Sequence, residues 1–118
     1  MTIQALITKV KEEKPNSFSN VKLLSFVNEI EEDVAEQLNQ DFVPYESVTA
    51  TDLLVPAPYD RLYVSYVKAM IDFSNEEYAS YQMNQMQHVQ DFRDFTDWVV
   101  RENKATDHVM PYRFKNIM

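Results

Sequence analysis

Glycine and cysteine are both absent from the 118 residues. Phosphate-cradling loops need glycines so that backbone amides can approach the anion, and calcium loops of the EF-hand kind need one for their sharp turn, so both are excluded. A G-x-S-x-G nucleophile elbow is excluded with them. The lack of cysteine removes disulfides, thiolate nucleophiles and thiolate zinc sites together, which is compatible with a reducing cytoplasm. No run of 18 apolar residues occurs, and the opening MTIQALITKVKEEK has no basic stretch followed by a long apolar one. Neither a membrane span nor a secretion signal is therefore expected, and no membrane partner. Bases are scarce: 11 Lys and Arg stand against 19 Asp and Glu, a formal net charge of −8. Such a chain repels polyphosphate at long range and is not expected to be a general nucleic-acid binder.

What is present reads as helix. An apolar fraction of 45% with 25% charged residues suits one globular domain with a modest core. Thr2 is an N-cap for a first helix, in which Ile3, Leu6, Ile7 and Val10 recur at three- and four-residue spacing before Pro15. Ser19 or Asn20 caps a second, with Phe18 placed to staple against Leu23 and an apolar stripe through Leu24, Val27, Ile30, Val34 and Leu38. From Asn39 to Ala57 the helical period is lost, and Pro44 and Pro56 point to a long loop with a short strand around Phe42 to Val48. In LLVPAPYDRL, Pro56 and Pro58 hold Val55 and Ala57 extended, and Pro58 fits the first position of a third helix. That helix carries Tyr59, Leu62, Tyr63, Tyr66, Ala69, Met70 and Phe73 on one broad face, which places it mid-bundle. In FSNEEY, Ser74 and Glu77 have capping-box spacing and Phe73 and Tyr78 staple spacing, so a fourth helix is expected from 74 or 75 to about Asn103, with Tyr78, Tyr81, Val89, Phe92, Phe95 and Val99 inward. Met110, Tyr112 and Phe114 then alternate with Arg113 and Lys115, a two-residue period that suits an extended arm. The expected architecture is all-α: a small bundle of about four helices with a long C-terminal helix, a long proline-containing loop after helix two, a domain over 1–104 and an arm over 105–118.

No catalytic constellation emerges. Ser17, Ser19 and Ser74 have capping explanations, and His88 and His108 form no H-E-x-x-H pair, His88 being expected as a partly exposed helix residue. Glu29, Glu31, Glu32, Asp33 and Glu36 could gather a hard cation, but a helix spreads consecutive carboxylates around its circumference, so they read as a solvated face. The aromatic stripe of helix three reads as core in place of a ligand site. No enzyme activity, metal or cofactor is expected. One asymmetry remains: residues 28–41 hold six acids and no base, whereas the last 18 residues hold four bases and two acids. Segregated charge of this kind suits head-to-tail contact between copies, which closes into a ring if the rotation permits.

SFSNVKLLSFVNEIEEDVAEQL, the LLVPAPYDRLY entry to helix three and VPAPYDRLYVSYVKAMIDFSNEEYASYQ with its DFSNEEY turn, together spread over residues 17–82, resemble the small head-tail connector proteins (head completion or adaptor proteins) of tailed bacteriophages and of prophages of Gram-positive bacteria. The resemblance rests on residue types and their order, with no chemical motif in it. It implies a mostly helical structural protein of the virion, found in the host cytoplasm during assembly. Copies would form a ring, commonly twelvefold, beneath the portal protein, extend a channel through which DNA passes without specific binding, and meet a downstream tail protein.

On that placement, Glu29, Glu32 and Glu36 are expected to face a neighbouring copy's Arg101 and Lys104. Met110, Tyr112, Phe114 and Ile117 are expected to order on docking to the portal, and Phe42 and Tyr45 to anchor a loop contact with the channel or the tail. The competing reading is a small acidic helical inhibitor that imitates a nucleic-acid backbone, which should spread acids over one broad face; here they concentrate in helix two.

Overall fold

The computed structural model describes the backbone of residues 1–106 and the side chains of residues 1–103. Within them the chain is a bundle of four helices, α1 (Ile3–Glu13), α2 (Asn20–Gln37), α3 (Arg61–Ser74) and α4 (Tyr78–Thr106). None of these helices is long and apolar enough to cross a membrane. Helix α3 packs against each of the other three and is the centre of the bundle, as its aromatic content requires. Tyr63 and Phe95 are the largest fully buried side chains, in one core with Ile3, Leu6, Leu23, Ile30 and Leu62. Along α4, His88, Phe92, Phe95 and Trp98 touch in succession with centroids 5.7 to 6.2 Å apart, and Trp98 stacks on Tyr59 at 5.4 Å.

Helix α1 shows how the long connection is tied in. A helix start leaves its first N–H groups unpaired. Thr2 Oγ1 accepts from the Ala5 N–H at 3.0 Å, as its capping role predicts. The two N–H groups ahead of it, on Ile3 and Gln4, donate at 3.0 Å to the carbonyls of Thr51 and Thr49 in the loop. The loop thus completes the cap of α1, and Thr2 and Asp52 form an isolated antiparallel bridge. The expected strand at 42–48 is not found: among the described residues no strand forms. The backbone of Tyr45 pairs instead with one side chain, its N–H donating to Asn28 Oδ1 at 2.9 Å and its carbonyl accepting from Asn28 Nδ2 at 3.1 Å.

Ser19 caps α2 through the Lys22 N–H, while the ring that Phe18 meets is Phe26, edge-on at 6.3 Å. The third helix begins later than Pro58. The Ala57–Pro58 peptide is cis, residues 57–60 form a turn closed by the Tyr59 N–H on the Pro56 carbonyl, and α3 starts at Arg61. Tyr59 therefore lies ahead of the helix, and Phe73 at the other end is half exposed.

The FSNEEY stretch ends α3 and does not cap α4. Asn75 is the C-cap and Glu76 takes a left-handed conformation (φ 59°). Glu76 N–H donates to the Phe73 carbonyl and Glu77 N–H to the Asp72 carbonyl, the paired bonds of a Schellman ending. Helix α2 stops the same way, with Asn39 left-handed (φ 57°) and the N–H groups of Asn39 and Gln40 on the carbonyls of Glu36 and Ala35. Ser74 is thus the last residue of α3 and α4 begins at Tyr78, three or four residues after the expected start. Tyr78 and Val89 are exposed in place of inward, because α4 meets α3 through His88, Asp91, Phe95 and Val99.

Candidate functional site: the acidic face of α2

The six acids of residues 28–41 separate into one buried carboxylate and an exposed set. Glu31 is not on a solvated face; it is fully buried. It follows Val27 by four residues and precedes Val34 by three, so it lies on the stripe that faces the core. Its Oε2 accepts from the Tyr45 hydroxyl at 2.6 Å and the Leu54 N–H at 3.0 Å, and its Oε1 from the Tyr63 hydroxyl at 2.5 Å. The Tyr63 oxygen in turn accepts from the Val55 N–H at 3.0 Å. A buried carboxylate must be hydrogen-bonded, and three of these four donors hold the loop, at Tyr45, Leu54 and Val55. Burial, then the charge of Glu31 and its hydrogen bond, pushes the Tyr63 phenol far above its usual value. For Tyr45, burial and then the Glu31 hydrogen bond do the same.

The other five are exposed: Glu29, Glu32, Asp33 and Glu36 on α2, and Asp41 in the loop beyond it. Glu29 accepts from the Tyr66 hydroxyl at 3.2 Å. The four on α2 stand at three- and four-residue spacings, so like charges adjoin along the helix, each pair costing about 0.2–0.5 kcal/mol before salt screening. Loss of hydration, then the charge of Glu36 and of Glu32, raises the Asp33 carboxyl above its usual value. No base occupies the last turn of α2 to offset either the acids or the negative end of the helix dipole. Glu36 also sits where two open grooves meet. One, of about 550 Å³, runs past Glu32, Asn39, Asp41 and Phe42; the other, of about 360 Å³, runs between α2 and α4 past Asp33, His88, Val89 and Phe92.

His88 is buried, at 8% exposure, and not partly exposed. Its Nδ1 lies 3.1 Å from the Leu62 carbonyl, a contact in which Nδ1 carries the proton and donates. Its ring meets Tyr66 edge-on at 5.1 Å, and burial holds its basicity below the usual imidazole value.

Glu29, Glu32 and Glu36 are exposed along one side of α2. Arg101 is exposed on α4 and its Nη2 lies 3.2 Å from the Tyr59 hydroxyl, away from those glutamates. Among the described residues, Arg101 makes no ion pair with those glutamates. The side chain of Lys104, and Met110, Tyr112, Phe114 and Ile117 entirely, lie outside the described residues. Phe42 packs edge-on against Tyr45 at 5.2 Å, but Tyr45 turns its hydroxyl inward to Glu31, so it anchors the loop to its own helix.

Sequence reasoning missed two further buried carboxylates. Asp72 is fully buried, takes an ion pair from Lys14 and accepts from Ser80 at 2.7 Å and Asn84 at 2.6 Å, joining the end of α1 to α3 and α4. Burial works against its charge, but the bonds from Lys14, Ser80 and Asn84 outweigh it and hold the carboxyl below its usual value. Asp91 accepts from Ser65 at 2.9 Å and lies 3.4 Å from Arg61 Nε. Among the described residues, no three acidic or imidazole side chains converge as a metal site would need. No family model, no curated protein and no solved structure matches the chain.

Proposed function

We propose that the protein is a structural adaptor of a phage particle, a ring-forming subunit that joins the portal of the head to the tail. The observation that carries this reading is the α2 surface. Glu29, Glu32, Asp33 and Glu36 are held exposed and adjacent on a rigid helix, at an electrostatic cost that no ion pair among the described residues relieves. A basic surface from a neighbouring copy or from the portal would relieve it. The resemblance of residues 17–82 to head-tail connectors and the helical architecture support the same reading. The loop 39–57, fixed to α1 and α2, would present Phe42 and Val43 as a preformed contact. Residues 107–118, with Arg113 and Lys115 among Met110, Tyr112, Phe114 and Ile117, would supply the arm that meets the portal.

Light scattering with and without a portal protein tests this. A discrete ring-sized species is expected, alone or templated by portal, and it should weaken as salt rises because its contacts include exposed charges. Replacing Glu29, Glu32 and Glu36 with Gln should abolish that species while raising the thermal stability of the single chain slightly, by about 0.5 kcal/mol, through relief of like-charge pairs. A chain that ignores portal and instead binds a nucleic-acid enzyme would overturn the adaptor reading in favour of the acidic inhibitor.

A further inference from the structure

The outer face of α4 has no role in the bundle or in the acidic site. From Tyr78 to Gln90 the helix contains no Asp, Glu, Lys or Arg, in a chain that is 25% charged. Ala79, Met83, Met86, Gln90 and Arg93 follow one another at alternating spacings of four and three residues, and all are exposed. Met83 and Met86 keep 73% and 74% of their surface, and Val89 on the flank keeps 46%. A seam of this period is the geometry by which two helices pack at a shallow angle.

We propose that this face binds a second copy of the chain, with the two α4 helices antiparallel about a two-fold axis midway between Met83 and Met86. Three observations select that partner. A two-fold contact sets Met83 of each copy against Met86 of the other and Ala79 against Gln90, so the centre is free of charge although each copy carries −8. The same register brings Glu76 to the level of Arg93 of the other copy. Both side chains are exposed and neither forms an ion pair among the described residues, so one alignment provides two complementary pairs. Lastly, Met83 and Met86 at the centre of the seam keep 73% and 74% of their surface exposed, so a second copy has apolar side chains to cover at the two-fold axis. Methionine adapts its shape readily, which fits a surface that is open in one state and covered in another. The pairing goes beyond the ring reading, and its central residues Met83 and Met86 line neither of the two grooves that meet at Glu36.

The experiment is sedimentation equilibrium of the full chain from low micromolar to sub-millimolar concentration. Wild type is expected to pass from monomer to dimer. Met86→Glu should weaken pairing at least about tenfold with an unchanged helical spectrum, since the side chain is exposed in the single chain. Arg93→Glu and Glu76→Arg should each weaken it, and the two together should restore it. Mixing Met83→Cys with Met86→Cys should give the mixed disulfide in preference to either like pair. A wild type that stays monomeric throughout, or a dimer indifferent to Met86→Glu, would overturn the proposal. So would loss of a portal-templated ring in Met86→Glu, which would make the seam a ring contact, or protection of the seam that vanishes when residues 107–118 are removed. The ring reading is tested separately by the α2 glutamates.

Discussion

Tyr63→Phe removes one oxygen from the middle of the bundle, and the structure says what that should do. The hydroxyl donates to Glu31 Oε1 and accepts from the Val55 N–H, and the side chain is fully buried. Losing a hydrogen bond to a charged acceptor costs about 1.5–3 kcal/mol, and leaving a buried N–H without an acceptor costs about 1–3 kcal/mol. A total of about 2.5–6 kcal/mol follows, a large share of the ~5–15 kcal/mol that a domain typically has. Tyr45→Phe loses a similar bond at a half-buried position where water can replace it, and should cost about 1 kcal/mol. Glu31→Ala strips the acceptor from three donors at once and should exceed both. Urea unfolding followed by circular dichroism and by the fluorescence of Trp98, the only tryptophan, would give the three values. Limited proteolysis gives the loop separately: Tyr45→Phe should speed cleavage between 39 and 52 far more than it lowers global stability, because only the first part of the loop is released. The order Glu31→Ala, then Tyr63→Phe, then Tyr45→Phe is the prediction. A Tyr63→Phe chain within 0.5 kcal/mol of wild type would refute the reasoning, since a buried carboxylate bonded to the loop could not then be what fixes it.

Alkaline pH probes the same cluster. A phenol whose folded value is raised contributes stability that is intact below about pH 10 and lost above it, at about 1.4 kcal/mol per pH unit for each such group. Stability measured from pH 9 to 11 should therefore fall steeply in wild type and less steeply in Tyr63→Phe. At the acid end the sign reverses: Asp72, held below its usual value, contributes stability present above about pH 4 and lost as pH falls toward its folded value. Lys14→Met should cost about 2–3 kcal/mol at pH 7, since it strips a buried carboxylate of its cation, and should flatten the stability profile between pH 5 and 3. Glu76→Gly should raise the melting temperature, gaining about 0.5–1 kcal/mol by removing a β-carbon from a left-handed position. No gain would mean that the Glu76 side chain makes an offsetting contact.

The helices, their core stripes and the caps of α1 and α2 were legible because each depends on residues close in sequence. Thr2 and Ser19 cap through N–H groups three residues on, and Val27, Ile30 and Val34 follow the helical period. Two kinds of feature were not. The end of α3 was misread because a Schellman ending is normally announced by glycine, and here Glu76 holds the left-handed position; Ser74 and Glu77 then imitated a capping box. Buried carboxylates were hidden because charge overrode position. Glu31 lies on the apolar stripe, and that register was the available signal, but its donors come from Tyr45, Leu54 and Tyr63, up to 32 residues away. The same distance problem obscured His88, whose burial depends on Leu62 and Tyr66. The exposed acids of α2 were readable as a group, while their separation from Arg101 is a matter of tertiary placement alone.

The Glu31 contacts to the loop also bear on how the proposed adaptor would dock. A long segment without helix or strand ordinarily pays a large ordering entropy when it binds. Here residues 45 to 55 are already fixed at the Tyr45 backbone by Asn28, at the Tyr45 hydroxyl and Leu54 by Glu31, at Val55 by Tyr63, and at Thr49 and Thr51 by the start of α1. Ordering has been met within the fold, so a partner would meet a preformed surface. Protection of the loop from proteolysis should then be high in the free chain and change little on assembly, with any new protection confined to its tip near Phe42 and Val43, where Val43 is 82% exposed. Large protection gained across the whole of 45–55 would show that the Glu31 contacts form only in the assembly, and that the loop acts as an adaptable tether in place of a rigid contact.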